Sequence, residues 1–225
     1  MEIRDTILNK TASRLIHVIV IVCCITFSQV AVCKCNMVEF VTDSGKFIIE
    51  IYPDDAPLTS ANFIRLINKF HYDGLIFHRV IPQFIVQTGG YTFDFTPRHS
   101  GTPPVQNESN NNFKNVRGSV AMARTSDPHS AQSQFFINIA DNLSLDSSAS
   151  HHGYAVFGKV VDGMSTLDAI AAKKTHNYGV FRDVPVEPIR ILSARELQKS
   201  LCKVSVVNAT RISGRTENDC SKRKC

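Results

Sequence analysis

Alternation of apolar and polar residues predicts short β-strands in the middle of the chain. In residues 46–52, Phe47, Ile49 and Ile51 fall on one face of an extended segment, because successive side chains of a strand point to opposite faces. Residues 37–41 form another apolar run, and the Thr-Asp-Ser-Gly sequence between the two runs is typical of a turn. We therefore predict a β-hairpin here.

The apolar positions follow a helical period after Pro57. Leu58, Ala61 and Leu66 recur among polar residues, and a proline is well tolerated in the first turn of a helix. A second helical pattern covers residues 163–171. Further strand-like runs occur at residues 75–80, 84–87, 119–124, 134–139, 154–160 and 189–194.

These patterns together predict a mostly β fold. About eight short strands and two helices occur without the strand–helix alternation of a parallel sheet. We therefore expect a closed eight-stranded antiparallel barrel capped by two α-helices. Residues 91–115 form a polar segment with several Pro, Gly and Asn residues, and a loop of this length in a compact domain is usually functional or mobile.

The N-terminal residues have the order of an export signal. A polar stretch that ends with Lys10 and Arg14 is followed by an apolar run at residues 15–27. A membrane-spanning helix needs about 20 apolar residues, so a secretory signal is the better interpretation of this shorter run. We expect residues 1–35 to be a signal peptide, with an uncleaved signal anchor or lipid attachment at Cys33 as alternatives.

Cysteine usage agrees with export from the cytoplasm. The chain has seven cysteines, and none of them lies between Asn36 and Leu201. In an oxidising compartment the cysteines that flank the body could link the two ends of the chain. Their pairing cannot be read from the sequence. Neither the cysteines nor the adjacent His151 and His152 have metal-ligand spacing, so no metal and no cofactor is expected.

The positive charge is concentrated near the C-terminus. Residues 195–225 hold eight Lys or Arg and three Asp or Glu, which equals the net charge of +5 for the whole chain. The body has no basic stripe, so we expect no nucleic-acid binding. We predict a folded domain at residues 36–196 and a basic, cysteine-containing extension at residues 197–225, partly disordered because its hydrophobic content is low.

Residues 77–87 carry the most informative chemistry. Arg79 and Gln87 lie among apolar neighbours in predicted strands, where an arginine is rare without a partner. A core hairpin with a polar outer face and a functional site both fit this composition, and the residues alone leave the two interpretations open.

The sequences of three segments resemble those of the cyclophilin family. Phe-His-Arg-Val-Ile-Pro-Gln-Phe-Ile-Val-Gln at 77–87 is similar to the active-site signature of that family. Ser-Gln-Phe-Phe-Ile at 133–137 and Gly-Tyr-Ala-Val-Phe-Gly-Lys-Val at 153–160 are similar to two further signatures, in the same order and spacing. The resemblance covers about residues 37–194, and residues 122–125 resemble the bacterial periplasmic branch more than the cytosolic eukaryotic one.

This resemblance implies a peptidyl-prolyl cis–trans isomerase that acts on proline-containing polypeptides. Arg79 matches the catalytic arginine, and we expect Gln87 to support it. The remaining matched positions imply a proline pocket, peptide hydrogen bonds and a groove edge, at Phe84, Ile85, Ala123, Arg124, Thr125, Gln134, Phe136, Leu145 and Tyr154. We expect a monomer in the periplasm or secreted, with a membrane-anchored form as the alternative.

Two positions depart from the family pattern. Tyr154 stands where many members have His, and Ser144 stands where a Trp or Phe often precedes the residue that matches Leu145. The chain has no Trp at all. We therefore expect proline binding to be retained and the binding of cyclosporin-type ligands to be weak.

The chemistry of prolyl isomerisation fits these residues. The peptide bond resists rotation with a barrier of about 18–20 kcal/mol because of its partial double-bond character, and no covalent bond has to break. Arg79 could bond the prolyl nitrogen only when the bond twists, which stabilises the transition state selectively. A proline-binding module or chaperone with incidental turnover is the alternative, and so is an interaction protein acting through the extension. The presence of Arg79 favours the enzyme.

Overall fold

The computed structural model describes residues 36–197. The predicted leader at residues 1–35, all seven cysteines and the extension after Leu197 lie outside the described residues, so those expectations stay predictions. Within residues 36–197, no helix is both long enough and apolar enough to cross a membrane.

The described residues form ten strands, two α-helices and one short 3-10 helix. In chain order they are β1 Met37–Thr42, β2 Gly45–Ile51, α1 Pro57–Asn68, β3 Arg79–Ile81, β4 Ile85–Thr88, β5 Ser119–Met122, β6 Phe135–Asn138, the 3-10 helix Leu143–Leu145, β7 Val156–Asp162, α2 Met164–Ala171, β8 Thr175–Tyr178, β9 Phe181–Pro185 and β10 Ile191–Glu196.

Eight of these strands form one curled antiparallel sheet in the order β10-β1-β2-β7-β5-β6-β4-β3. The residues before β3 connect its two edges, since Gly74 N–H donates to the Ile191 carbonyl at 2.7 Å and Phe77 N–H donates to the Ile189 carbonyl at 3.0 Å. The predicted strand at 75–80 is therefore shorter, because its first residues bond across to the other edge of the barrel. Strands β8 and β9 form a separate two-stranded ribbon, which the sequence did not predict.

The interior of the barrel is rich in phenylalanine. Phe40 and Phe47, which are opposite each other in the predicted hairpin, stack with their ring centroids 5.0 Å apart. Phe63 from α1 contacts both Phe135 and Phe157. All five side chains are fully buried, and each such aromatic pair contributes about 0.5–1.5 kcal/mol beyond area burial. This core holds α1 against the sheet.

The two faces of β4, β5 and β6 have different roles. Val86 and Ile137 point into the main core, whereas Ile85, Ala121 and Phe136 point to the opposite face. These three residues form a second, smaller apolar cluster together with Val156 of β7. Both faces of these strands are therefore apolar over part of their length, and the outer face carries the candidate site.

Candidate active site

A row of side chains crosses four strands on the outer face of the barrel. Arg79 of β3 is opposite Gln87 of β4, which is opposite Phe136 of β6, which is opposite Ala121 of β5. Directly opposite residues of paired strands share a face and have Cβ atoms about 4.5–5.5 Å apart. The row therefore leads from an arginine through an amide to an apolar surface.

The apolar end of the row has a buried floor and half-buried walls. Ile85, Ala121, Phe136 and Val156 are at most 3% exposed, and the partly buried side chains that pack against them are Phe84, Ala123, Leu145 and Tyr154. The rings of Phe136 and Tyr154 meet edge to face, with centroids 5.5 Å apart. The structure thus brings together most of the apolar residues that the resemblance assigned to substrate binding.

Arg124 forms one rim of this surface. Its Nε donates to the carbonyl of Gly153 at 3.0 Å, and its guanidinium lies 4.6 Å from the centroid of the Tyr154 ring. Its Nη1 also donates to the carbonyl of Thr125 at 2.9 Å. A cation over an aromatic face contributes about 0.5–1 kcal/mol at an exposed site. Arg124 therefore fixes Tyr154, while the exposed Thr125 lies farther out on the same rim.

The guanidinium of Arg79 is open to solvent and has a charged neighbour. Its side chain is 40% exposed, and its Nε lies 3.7 Å from Oδ2 of Asp183 in β9. Gln87, the cross-strand partner of Arg79, donates from Nε2 to Oε1 of Gln134 at 2.9 Å. Asp183 could not be identified from the sequence, since the ribbon that carries it was not predicted.

Gln134 fits into the site because two glycines leave room for it. A Cβ atom at Gly90 would lie 2.5 Å from Nε2 of Gln134, and one at Gly89 would lie 2.5 Å from the carbonyl oxygen of Ser133. Gly89 also has a φ of +93°, which other residues rarely adopt. The Gly-Gly sequence is therefore the place where the backbone and Gln134 meet closely.

His78 lies next to Arg79 in the chain and is 5% exposed. Burial lowers its pKa to about 4, against the opposing effect of a hydrogen bond with Gln134. Its ring meets that of Tyr91 edge to face at 4.8 Å, and Nδ1 has no hydrogen-bond partner among the described residues. A neutral, packed imidazole indicates a structural role for this histidine.

Buried amides support the site from below and were missed in the sequence. Asn138, fully buried in β6, donates from Nδ2 to the hydroxyl of Ser119 at 2.9 Å. Asn142 donates from Nδ2 to Oδ1 of Asn138 and to the carbonyl of Phe84 at 2.7 and 2.9 Å. The carbonyl of Asn142 in turn accepts from Leu145 N–H. The network therefore ties Phe84 and Leu145 together. An asparagine in a strand interior is unusual, and Asn138 was the available signal.

The site is a shallow surface and not a deep cavity. A cavity of about 240 Å³ does exist between residues 93–95 and the ribbon, lined among others by Phe95, Tyr178 and Val184. None of the predicted site residues lines that cavity. Among residues 36–197 no group of three His, Cys, Asp or Glu side chains is placed to hold a metal ion.

Comparison with known protein families identifies the same region. The family model described as cyclophilin type peptidyl-prolyl cis-trans isomerase/CLD matches residues 37–196. A peptidyl-prolyl cis-trans isomerase of Acinetobacter baylyi is 46% identical over 160 residues, which cover 71% of this chain and 85% of the relative. Peptidyl-prolyl cis-trans isomerase B of Escherichia coli is 43% identical and covers 70% of this chain and 97% of the relative. These relatives support the expected similarity to the bacterial branch.

Solved structures share the architecture. A cyclophilin type peptidyl-prolyl cis-trans isomerase of Cryptosporidium parvum, crystallised in the presence of the dipeptide Ala-Pro, has a TM-score of 0.60 and 25% identity, and the match covers 72% of this chain and 99% of that one. The cyclophilin AquaCyp293 of Hirschia baltica has a TM-score of 0.58 at 22% identity, with 73% of this chain covered and 75% of that one. The predicted eight-stranded antiparallel fold with two helices is thereby confirmed.

Proposed function

The chain belongs to the family of cyclophilin-type peptidyl-prolyl cis–trans isomerases and has that enzymatic activity, and from this premise we propose that it accelerates the isomerisation of X-Pro bonds in exported proteins. The observation that carries the proposal is the cross-strand row, which places Arg79 two strands away from the buried ring of Phe136. A proline ring on the apolar surface would then have its nitrogen within reach of a cationic donor.

The apolar cluster around Phe136 is the proposed proline pocket. Besides Phe136, its floor consists of the buried residues Ile85, Ala121 and Val156, and its walls are half-buried. The walls therefore keep exposed apolar surface that a ligand can contact. Removing about 100 Å² of apolar surface from water contributes about 2.5 kcal/mol, which is enough to hold one small ring. The Cryptosporidium relative was crystallised in the presence of the dipeptide Ala-Pro, which agrees with a proline-containing ligand.

Arg79 is the proposed catalytic residue. In the planar peptide bond the lone pair of the prolyl nitrogen is delocalised, and it becomes available as an acceptor when the bond twists. A hydrogen bond from a charged donor contributes about 1.5–3 kcal/mol. Made only in the twisted state, it accelerates the rotation by about 10- to 150-fold. Arginine suits this task because its guanidinium stays protonated at every relevant pH.

Gln87 and Gln134 are the proposed partners of the substrate backbone. Their mutual hydrogen bond of 2.9 Å uses one donor and one acceptor, and each amide has further donor and acceptor capacity. Gln87 lies directly between Arg79 and Phe136 in the row, so its amide is next to the peptide bond that would rotate. Ala123, Arg124 and Thr125 form the proposed groove edge for the residue before proline.

The decisive experiment is a protease-coupled prolyl-peptide assay of residues 36–225 and of Arg79→Ala. We expect kcat/KM of the variant to fall by about 10- to 150-fold because the donor to the twisted bond is lost. Arg117→Ala is the matched control, since Arg117 is 44% exposed and also pairs with one aspartate, Asp168. Equal activity of Arg79→Ala and the wild type would rule out the arginine mechanism.

The exported location is proposed from the order of charged and apolar residues in the leader. Expression of the full chain in a bacterium, followed by osmotic-shock fractionation and N-terminal sequencing, tests it. Recovery in the periplasmic fraction with a new N-terminus near residues 31–35 would support a cleaved signal, and recovery only in the cytoplasmic fraction would contradict export.

A further inference from the structure

The ribbon of β8 and β9 brings one carboxylate to the candidate active site. Oδ2 of Asp183 lies 3.7 Å from Nε of Arg79, and the two side chains are 42% and 40% exposed. Among the described residues, this carboxylate is the one acidic group that forms an ion pair with Arg79, and Asp183 makes no other ion pair there. Each group is therefore the charged partner of the other.

The ribbon holds Asp183 in a defined place beside β3. Phe181, two residues earlier on the same face, packs against the rings of Tyr91 and Phe95, each with its centroid at 4.9 Å. Val184, the next residue, is 3% exposed. The neighbours of Asp183 are thus anchored in the protein, so its carboxylate cannot drift away from Arg79 with a loose loop.

The backbone at Asp183 is unusual. Its φ is +57°, a left-handed conformation that few residues other than glycine, asparagine and aspartate adopt. Such conformations persist where the surrounding structure imposes them and are frequent near functional sites. This conformation at Asp183 sets the direction in which its side chain leaves the backbone.

We propose that Asp183 is a positioning residue that orients the Arg79 guanidinium for catalysis, an inference that rests on the role of Arg79 proposed above. Arginine loses much side-chain entropy when it is fixed, and Arg79 extends from a strand of three residues. The negative charge of Asp183 beside Nε attracts and restrains one edge of the guanidinium. The terminal Nη groups form no hydrogen bond or ion pair within residues 36–197, so they remain able to donate to the prolyl nitrogen.

The test replaces Asp183 with asparagine, which keeps the shape and tolerates the left-handed backbone. Since an exposed ion pair contributes up to about 1 kcal/mol, we expect kcat of Asp183→Asn in the full chain to fall about two- to fivefold with KM unchanged. The matched control is Asp168→Asn, because Asp168 is 46% exposed and pairs with an arginine, Arg117, that is not a member of the row. The control should keep the wild-type kcat.

Two further measurements separate positioning from a merely structural role. In the Arg79→Ala background, Asp183→Asn should have no additional effect on kcat, because the two residues act through one interaction. The difference between wild type and Asp183→Asn should also shrink in 1 M NaCl, where charges are screened over about 3 Å. An equal loss in both backgrounds would overturn the inference, because the effect would then not pass through Arg79.

The outcomes also distinguish this inference from the proposed function. If Arg79→Ala is impaired while Asp183→Asn matches or exceeds the wild type, the positioning role is overturned and the arginine mechanism stands. If Arg79→Ala keeps full activity, the arginine mechanism fails and the role of Asp183 fails with it.

Discussion

Two buried histidines contact the segments that hold the glutamine pair. His71 lies with Nε2 3.5 Å from the carbonyl of Gly89, and His78 has a hydrogen bond with Gln134. Burial is the largest cause that lowers the pKa of each imidazole, to about 4 for His78. Both rings are therefore neutral at pH 7, and the amides beside them face no buried positive charge.

The stability of the domain should consequently fall in mild acid. The unfolded chain binds a proton at His78 near the ordinary pKa of 6.5, whereas the folded chain binds it only near 4. Protonation thus favours the unfolded state between these values, and the free energy of unfolding should fall by about 2 kcal/mol from pH 7 to pH 5. His71 adds a loss in the same direction. Urea unfolding at several pH values measures this slope.

His78→Gln should reduce the slope, because a glutamine does not titrate, and the remaining part comes from His71. The same change at the exposed His152 is the control and should leave the slope as in the wild type. A His78→Gln variant with the full wild-type slope would mean that His78 is protonated equally easily in both states.

At the scale of elements, the long loop is tied to the barrel through helix α1. Glu108, from the polar segment at 91–115, accepts hydrogen bonds from the backbone N–H groups of Leu58 and Thr59 at 3.0 and 2.8 Å. Helix N-termini leave such donors unpaired and favour negative charge. The side chain of the N-cap residue Ala56 makes no capping hydrogen bond. The capping group therefore comes from a distant part of the chain.

Glu108→Ala should therefore destabilise the domain by about 1 kcal/mol, as loss of a capping side chain does. Chemical denaturation measures the change. Glu187→Ala is the control, because Glu187 is 82% exposed and its ion pair with Lys173 spans 3.6 Å. A variant at Glu108 as stable as this control would show that water replaces the carboxylate at no cost.

The elements that the sequence predicted well are those that bury one face. The hairpin of β1 and β2 alternates because its inner residues meet the phenylalanine core, and α1 begins at Pro57 as expected. The ribbon was not predicted because three of the four residues of β8 are exposed, so β8 shows no alternation of buried and exposed residues. A two-stranded element outside the core carries no periodic hydrophobic signal.

At the scale of the whole molecule, the same reasoning explains what could be predicted of the site. The apolar residues of the cluster lie in strands whose sequences resemble the family signatures, so the resemblance located them. Asp183 and the buried Asn142 lie in segments outside those signatures. Folding brings Asp183 to Arg79 and Asn142 to Phe84. The local composition of the sequence does not predict such long-range contacts.

The whole molecule should also divide cleanly at the end of β10. Leu197 N–H donates to the carbonyl of Met37 at 2.9 Å, and the family model ends at residue 196. We therefore expect residues 36–197 alone to unfold in one cooperative transition and to keep the kcat/KM of residues 36–225. Thermal unfolding by circular dichroism and the prolyl-peptide assay measure the two properties.

A shorter variant, residues 36–190, is the control for this truncation. It lacks β10, which pairs with β1 and contributes the fully buried Ile191 and the almost completely buried Ala194 to the core. Its loss exposes the edge of β1 and opens the barrel, so this variant should not fold. If residues 36–197 fold but turn over peptide more slowly than residues 36–225, the basic extension takes part in binding the substrate.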